Sequence, residues 1–472
     1  MLTVMRKCIF IMLFMVSTVS LARIISIPDD HTSIQAGVDS SSNGDTVLVH
    51  PGTYYENIFF YQKSIVIGSL FLTTGDNSYA SSTIVDGENS DFVLRAESDN
   101  CLITGFTFQH GTYYNYGGVT IGGDDMIISD CIIRWNGHSS GGTNAGVCCM
   151  YGDCIIKNNY IYENDNYGIA CVGADDDHQL VINNTISDNY LYGIHCGTGI
   201  DVTVTNNLII NHAPDNQRSY YEKGAIECYY GNVTAINNTI YGNNCGDDPL
   251  FHVQLGGSIN LINNIIWNNS DVLTDIDAES ELSISFCDIE GGWPVAGNID
   301  IDPLLRDPDN GDYHLMSITC GDPFDSPCID AGNPCYNDGN LDCLRGLGFA
   351  RSDMGAYGGV ISANCYEYLT GDINMSAGAW PPSSTGLDVT YLVNYFRGIR
   401  SGCFKDGFFA AADVNGDCQV VGSDVTSFVN YLRGQDVLKF CRDYPPIWLS
   451  SDMCPVEPSE NWPDCESIIN RH

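Results

Sequence analysis

The sequence predicts a β-solenoid, a mainly β chain wound into stacked coils, and three observations carry that prediction. A phrase of two asparagines with an apolar residue closing it occurs five times: Asn158-Asn159-Tyr160-Ile161, Asn183-Asn184-Thr185-Ile186, Asn206-Asn207-Leu208-Ile209, Asn237-Asn238-Thr239-Ile240 and Asn263-Asn264-Ile265-Ile266. Their starts lie 25, 23, 31 and 26 residues apart, a period at which each repeat is one coil that cannot bury its apolar face alone. Between the copies run short β-branched segments with period-two alternation, punctuated by Gly and Asn, which makes the coils strands and turns. Asn suits those turns because it tolerates left-handed backbone, and its amide both donates and accepts. Stacked on the Asn of the coil before, it is expected to form a hydrogen-bonded ladder. Four copies carry a further Asn six positions after the first, at Asn164, Asn189, Asn243 and Asn269.

The elements follow in order. Arg6-Lys7, an apolar stretch from Cys8 to Leu21 and a small-residue end at Ala22 read as a secretory signal peptide over 1–22, too short to span a bilayer. Ile25-Ser26-Ile27 reads as a strand, and Ser33 to Val38 as a short helix covering the open end of the solenoid, where bare strand edges need a cap. Thr46 to Val49 and Thr53 to Ile58 supply strand, turn and strand. The rod is expected over 23–298, with an irregular, Cys-containing closing segment over 299–362.

On these residues the chain resembles a known class. The run from Ile27 to Ile58 is similar to the start of secreted right-handed parallel β-helix proteins of the pectin-lyase-like class. Degenerate coils at Thr104-Gly105-Phe106-Thr107, Asp130-Cys131-Ile132-Ile133 and Phe286-Cys287-Asp288-Ile289 continue it. The resemblance covers roughly 24–362 and implies eight recognisable coils, about 40 Å of rod at the usual strand spacing, plus less regular coils before residue 100. It speaks for fold and hardly for activity, because one fold hosts many functions.

From residue 371 two other repeats stand 36 residues apart, Asp388-Val389-Thr390-Tyr391-Leu392-Val393-Asn394-Tyr395 and Asp424-Val425-Thr426-Ser427-Phe428-Val429-Asn430-Tyr431, each an amphipathic helix ended by Gly398 or Gly434. An acidic loop precedes the second. Asp413, Asn415, Asp417, the carbonyl of Gln419 and Asp424 stand at loop positions 1, 3, 5, 7 and 12, the oxygen set a Ca2+ ion requires. The first loop offers a weaker set, Asp372, Asn374, Ser376 and Asp388, interrupted by the Ala379-Trp380-Pro381-Pro382 insertion. Paired loop-helix units ending in Asp resemble the type I dockerin, a small α-helical, EF-hand-like module over 363–440, which implies Ca2+ as cofactor and a cohesin-like partner. Cys418 stands where the EF-hand turn has Gly, and Gly386-Leu387 and Gly422-Ser423 occupy the positions that face cohesin in dockerins. A calcium-stabilised stalk without a cohesin partner is the competing reading. A Cys-rich tail fills 441–472.

Charge and cysteine bound the partners. The net charge of −40 becomes −42 without Arg6 and Lys7, with 17 Lys and Arg against 59 Asp and Glu. Such a surface repels nucleic acid and anionic lipid, and no later segment looks transmembrane. Without Cys8, 20 of the 21 cysteines remain, an even number that permits full pairing in an oxidising compartment. Cys320/Cys328 and Cys335/Cys343 are candidate local pairs. Cys131, Cys171, Cys196, Cys228 and Cys287 read as small buried core residues.

Candidates for catalysis are turn acids: Asp124 and Asp125, with His138 and Arg134 within one coil, the Asp175-Asp176-Asp177-His178 turn, and Asp247-Asp248. A lyase needs a base beside carboxylates, and a hydrolase needs carboxylates flanking a glycosidic bond. The bland reading is that Asp and Gly recur because a turn recurs in every coil. Gly122-Gly123-Asp124-Asp125 is similar to polygalacturonases and Gly52 to Glu56 to pectin methylesterases, without the remaining motifs of either. Tyr113-Tyr114-Asn115-Tyr116, Tyr190, Tyr192, Tyr220-Tyr221 and Tyr229-Tyr230 lie where loops leave the rod and suit a glycan-binding face, or ordinary packing onto it. The function expected is recognition or processing of extracellular carbohydrate. The alternatives are a polysaccharide lyase or glycoside hydrolase and a non-catalytic surface or adhesion protein.

Overall fold

A computed structural model describes residues 22–358, apart from 113–116, 138–144, 174–176, 198, 213–222, 271, 296, 334–335, 337–342, 344–345 and 349–350. The two loop-helix units, with Asp372 to Asp388 and Asp413 to Asp424, lie outside the described residues, as do the N-terminal segment and the Cys-rich tail.

Three parallel sheets form the rod, with eleven, nine and ten strands among the described residues. Each coil contributes one strand to each sheet in turn, so sequence neighbours lie in different sheets and every ladder joins residues about one coil apart. Parallel strands joined by crossovers of this kind are wound right-handed. The less regular coils expected before residue 100 are present beside the eight recognisable ones. The strands Ile24–Ile27, Thr46–Val49 and Val66–Ser69 extend the rod at the N-terminal end without any Asn phrase. The helix Ile34–Ser40 caps that end. Ser33 accepts from the Ala36 amide as N-cap, and Ile34, Gly37 and Val38 are buried.

Within the repeated phrase the two asparagines divide the labour. The first takes the left-handed turn, with φ of 56° at Asn158, 55° at Asn183 and Asn206, 54° at Asn237 and 58° at Asn263. The second points inward and stacks. Asn159, Asn184, Asn207 and Asn238 each donate from Nδ2 to Oδ1 of the next, at 3.0 Å every time, ending on Asn264. A parallel ladder joins Asn136 to Asn164 and Asn164 to Asn189, and Asn243 to Asn269. His212 interrupts it, its backbone N–H donating to Asn243 Oδ1 at 3.0 Å. Burial pulls the His212 imidazole down to about 4, so it stays neutral in the stack. Around the ladders Ile, Val, Leu and Phe fill one continuous core.

Of the two cysteine readings, pairing and burial in the core, the rod follows mainly the second. Cys149 pairs with Cys154 and Cys320 with Cys343, so Cys320/Cys328 is not a pair. Cys328 is a buried thiol that donates to Asp288. Cys131, Cys171, Cys196, Cys228 and Cys287 are buried and unpaired, as read from sequence, and Cys149, Cys171, Cys196 and Cys228 fall in one register column. Inside a packed coil a thiol acts as a small hydrophobe.

The closing segment does not simply end the rod; it folds back along the outer face of the ten-stranded sheet. Leu305, Tyr313, Leu315, Cys328, Leu347, Met354 and Ala356 bury Leu208, Ile210, Ile265 and Phe286. Here the first asparagine of the phrase acquires a second role. Asn206 donates to the Ala356 carbonyl at 3.2 Å, Asn237 to that of Asp353 at 2.6 Å, and Asn263 accepts from the Asn333 amide at 2.6 Å.

Candidate functional site

The closing segment does not reach the outer face of the nine-stranded sheet, and one register row along that face, buried from Thr120 to His252, carries unlike residues. Coil by coil the row reads Phe59, Arg95, Thr120, Cys148, Ala170, His195, Glu227, His252 and Asp275. Inward-facing apolar residues flank each member, as in Ile194-His195-Cys196 and Ile226-Glu227-Cys228, so the polar residue at each position is forced outward. Cys148 and Ala170, packed with Met150, Tyr167 and Val172, make the middle of the row apolar.

The C-terminal end is an acid-base cluster. His195 Nδ1 lies 2.6 Å from Glu227 Oε2, a short charge-assisted contact. His252 Nδ1 lies 3.6 Å from the other carboxylate oxygen, an ion-pair distance beyond a hydrogen bond, and 3.2 Å from the Tyr229 hydroxyl. His252 Nε2 stands 3.7 Å from Asp275 Oδ2. Aromatic rings cage the imidazoles: Tyr167 stacks on His195 at 4.7 Å, and Tyr229 meets His195 and His252 edge-on at 5.9 and 5.4 Å. Burial pushes the Glu227 carboxyl up, yet the hydrogen bond from His195, the nearby His252 imidazole and Tyr167 hydroxyl and the charge of His195 overcome it and hold the group down at about 2. Glu227 is therefore an anion throughout the physiological range. It fixes the orientation of His195 and sets His252 between two carboxylates. The side chains of Glu227 and His252 are 6% and 3% exposed, whereas Asp275 is 58% exposed, so the row runs from a buried anion to a solvent-facing acid. A carboxylate-oriented imidazole is the arrangement general acid-base chemistry uses.

The N-terminal end of the same face is aromatic. Phe59 and Tyr61 are exposed beside Arg95 and Glu97, which pair with each other and neutralise their charge. The Tyr151 ring lies over Gly122, where an added Cβ would meet it at 3.0 Å. Burial and the Glu97 charge push the Tyr151 hydroxyl up to about 12, so it remains a donor.

The acids singled out from sequence lie elsewhere. Asp124 and Asp125 are exposed in the turn from the nine- to the eleven-stranded sheet, and the Asp124 amide donates to Asp99 of the coil before. Asp177 occupies the same turn two coils on, while Asp175 and Asp176 lie outside the described residues. His178 contacts Asp201 at 3.5 Å and donates its backbone N–H to Asp153, so this edge is an acidic column with one histidine beside it. Arg134 is not part of it: it sits on the ten-stranded sheet, bonded to Gln109 and Tyr162. His138 lies outside the described residues. Asp247 and Asp248 occupy the turn before the strand Phe251–Gln254. Among the described residues no group of three His, Cys, Asp or Glu side chains is placed to hold a metal ion. Of the tyrosines, Tyr192 is buried and Tyr230 is exposed, and Tyr113, Tyr114, Tyr116, Tyr220 and Tyr221 lie outside the described residues.

Sequence reading missed His195, Glu227, His252 and Asp275, whose spacings of 32, 25 and 23 residues match no motif. The signal that finds them is phase: each stands at the same place in its strand, a polar residue amid Ile, Val, Phe and Cys.

Residues 69–224 match the family model described as "Right handed beta helix region". No curated protein matches the sequence. Among solved structures, a pectate lyase is similar at 13% identity and a TM-score of 0.44, covering 72% of this chain and 97% of its own. The A-module of a mannuronan C-5 epimerase from Azotobacter vinelandii is similar at 13% identity and a TM-score of 0.18, covering 53% of this chain and 93% of its own. Among the described residues no helix is long and apolar enough to cross a membrane. The chain thus carries a right-handed β-helix region, and its chemistry is to be argued from its own residues.

Proposed function

We propose that this protein is a secreted carbohydrate-processing β-helix whose working surface is the outer face of the nine-stranded sheet. The observation that supports it is the row His195-Glu227-His252-Asp275, an anion-oriented pair of imidazoles ending in an exposed acid, on the sheet whose N-terminal end exposes Phe59 and Tyr61 beside Tyr151. A sugar chain lying along the rod stacks on the aromatic rings while the row supplies acid and base. Lyase and hydrolase chemistry both need these groups. The acidic turns with Asp124, Asp125 and Asp177 border the same sheet and are the second candidate source of carboxylates, with Asp175 and Asp176 proposed from sequence alone. The C-terminal module belongs to the same reading. Asp413, Asn415, Asp417, Gln419 and Asp424 bind Ca2+, Asp372, Asn374, Ser376 and Asp388 form the weaker site, and the folded module tethers the rod through a cohesin-like partner.

The burial of Glu227 and His252 favours a second reading, recognition of a glycan without turnover, in which the cluster fixes the shape of the face. One assay separates the two. The mature protein, with calcium present, is incubated with a polysaccharide panel while reducing ends and unsaturated products are measured. Turnover that falls about 100-fold or more in Glu227→Gln and His195→Ala supports processing. Binding without product supports recognition, and neither binding nor product overturns the proposal. Calcium titration of the full chain should add helical signal that Asp413→Ala with Asp417→Ala removes. No change in that signal sinks the metal site.

A further inference from the structure

We infer that the cleft between the closing segment and the last coils is a binding subsite for an uncharged sugar unit, a ligand class that rests on the carbohydrate reading above but a site that lies on another edge of the rod. The cleft encloses about 490 Å³, within the range of small-ligand pockets. One wall comes from the turns that leave the ten-stranded sheet, with Asn211, Tyr241, Asn244 and Asn268. The other comes from the closing segment, with Asp309 and Tyr313.

The lining is selective. The rings of Tyr241 and Tyr313 stand 5.5 Å apart at 67°, giving two apolar surfaces at an angle. Tyr313 is buried and forms the floor, while Tyr241 is partly exposed. Burial raises the hydroxyls of Tyr313 and Tyr241, against a partial lowering by Asn211 and Asn268 beside them, so both remain protonated donors. Asn211 and Asn268 hold left-handed backbone, φ 55° and 56°, and Gly242 does so at 69°. A Cβ at Gly242 would meet Asn211 Oδ1 at 2.8 Å, so the floor admits no side chain there. Asn244 and Asp309 remain exposed at the rim.

Charge excludes the other ligand classes. Among the described residues no Lys or Arg lines the cleft, so a uronate, sulfate or phosphate would meet Asp309 without a counter-charge, in a chain of net charge −40. A hard cation wants six to eight oxygens, and among the described residues Asp309 is the one carboxylate in the lining, with Asp188, Glu290 and Asp302 acting on the tyrosines from outside it. An uncharged pyranose fits both features. Its C–H face lies on a tyrosine ring, and its hydroxyls meet amides that both donate and accept. Because the walls belong to different parts of the chain, docking of the closing segment creates the subsite.

The test titrates the full chain, by calorimetry, with cellotriose, xylotriose and mannotriose, and with trigalacturonate as the anionic probe. One neutral trisaccharide is expected to bind at least 10-fold more tightly than trigalacturonate. Tyr241→Ala is expected to weaken it at least 10-fold. Asn244→Trp, at an exposed rim position, is expected to do the same at an unchanged melting temperature, so a folding defect in Tyr241→Ala does not blur the outcome. Glu227→Gln should leave this binding intact. Neutral-sugar binding that survives Asn244→Trp and Tyr241→Ala, or that vanishes only in Glu227→Gln, overturns the subsite while leaving the carbohydrate reading standing. Preference for trigalacturonate overturns the ligand class. Absence of any sugar binding overturns both.

Discussion

The coil period builds two polar columns in this rod, one inside and one outside, and they differ in every respect but spacing. Inside, Asn159, Asn184, Asn207, Asn238 and Asn264 repeat one neutral side chain at one geometry, and each amide is consumed by its neighbours and by backbone carbonyls. Outside, the row from Arg95 to Asp275 changes residue at each coil and gathers charge at its C-terminal end. Identity from coil to coil serves stacking, because each member then finds the partner it offers. Variation at a fixed phase breaks that economy and marks where the coils have been put to another use. Polar residues in a solenoid are therefore read by whether they repeat.

The sharpest way to break this comparison is to cut the inner ladder. Asn207→Ala removes the acceptor of Asn184 and the donor to Val181, Thr205 and Asn238, all buried. Unpaired buried groups cost about 1–3 kcal/mol each, so a loss of about 3 kcal/mol or more is expected in denaturant unfolding. A loss below about 1 kcal/mol would show that the ladder is passive. The outer row should be less costly. Glu227→Gln keeps shape but loses charge-assisted bonds, for an expected loss of about 2 kcal/mol at neutral pH.

The pH dependence of the two proteins sharpens the point. Glu227 has its folded pKa held at about 2, below the ordinary value of about 4.3. Its contribution is present above about pH 4.3 and is lost as pH falls through about 2. Wild type should lose stability over that interval, and Glu227→Gln should lack this part of the acid limb. The closing segment behaves in the opposite sense. Burial raises Asp288 to about 6 and Asp353 to about 7. A raised carboxyl stabilises fully below its unfolded value of about 3.9, and the effect is lost as pH rises through about 6 to 7. Hydrogen exchange, corrected for intrinsic rates, should show the amides of Leu347 and Met354 better protected at pH 5 than at pH 8. Asp353→Asn should flatten the difference. The smallest effect is expected at Asn158, whose exposed left-handed turn holds no strap: Asn158→Ala should cost about 1 kcal/mol and Asn158→Gly a few tenths.

Much of the rod was legible because repetition multiplies a weak signal. Left-handed Asn, inward Asn ladder, β-branched strands, N-terminal helical cap and buried thiols follow from composition at fixed spacing. The first coils were legible as strands at Ile25 to Ile27 and Thr46 to Val49, but not their register, since they stack without the Asn phrase. The closing segment was recognised as a break in period, while its path over Leu208, Ile210 and Ile265 depends on which face the coils leave apolar. The outer row was missed because its members stand alone in sequence. The acids that drew attention instead include Asp124, Asp125 and Asp177, which turns recruit.

The sequence by itself determined the coil, because period, alternation and Asn chemistry are local and each repeat states them again. Only the tertiary structure decided what the coils bring together. A register of one coil per strand sets His195 beside Glu227 and Glu227 beside His252, residues separated by 32 and 25 positions. It also sets Asn206, Asn237 and Asn263 against a segment that follows them by 70 residues or more. The reason is physical: side-chain contacts across a parallel ladder depend on register, which the whole stack fixes by burying its inward faces at once.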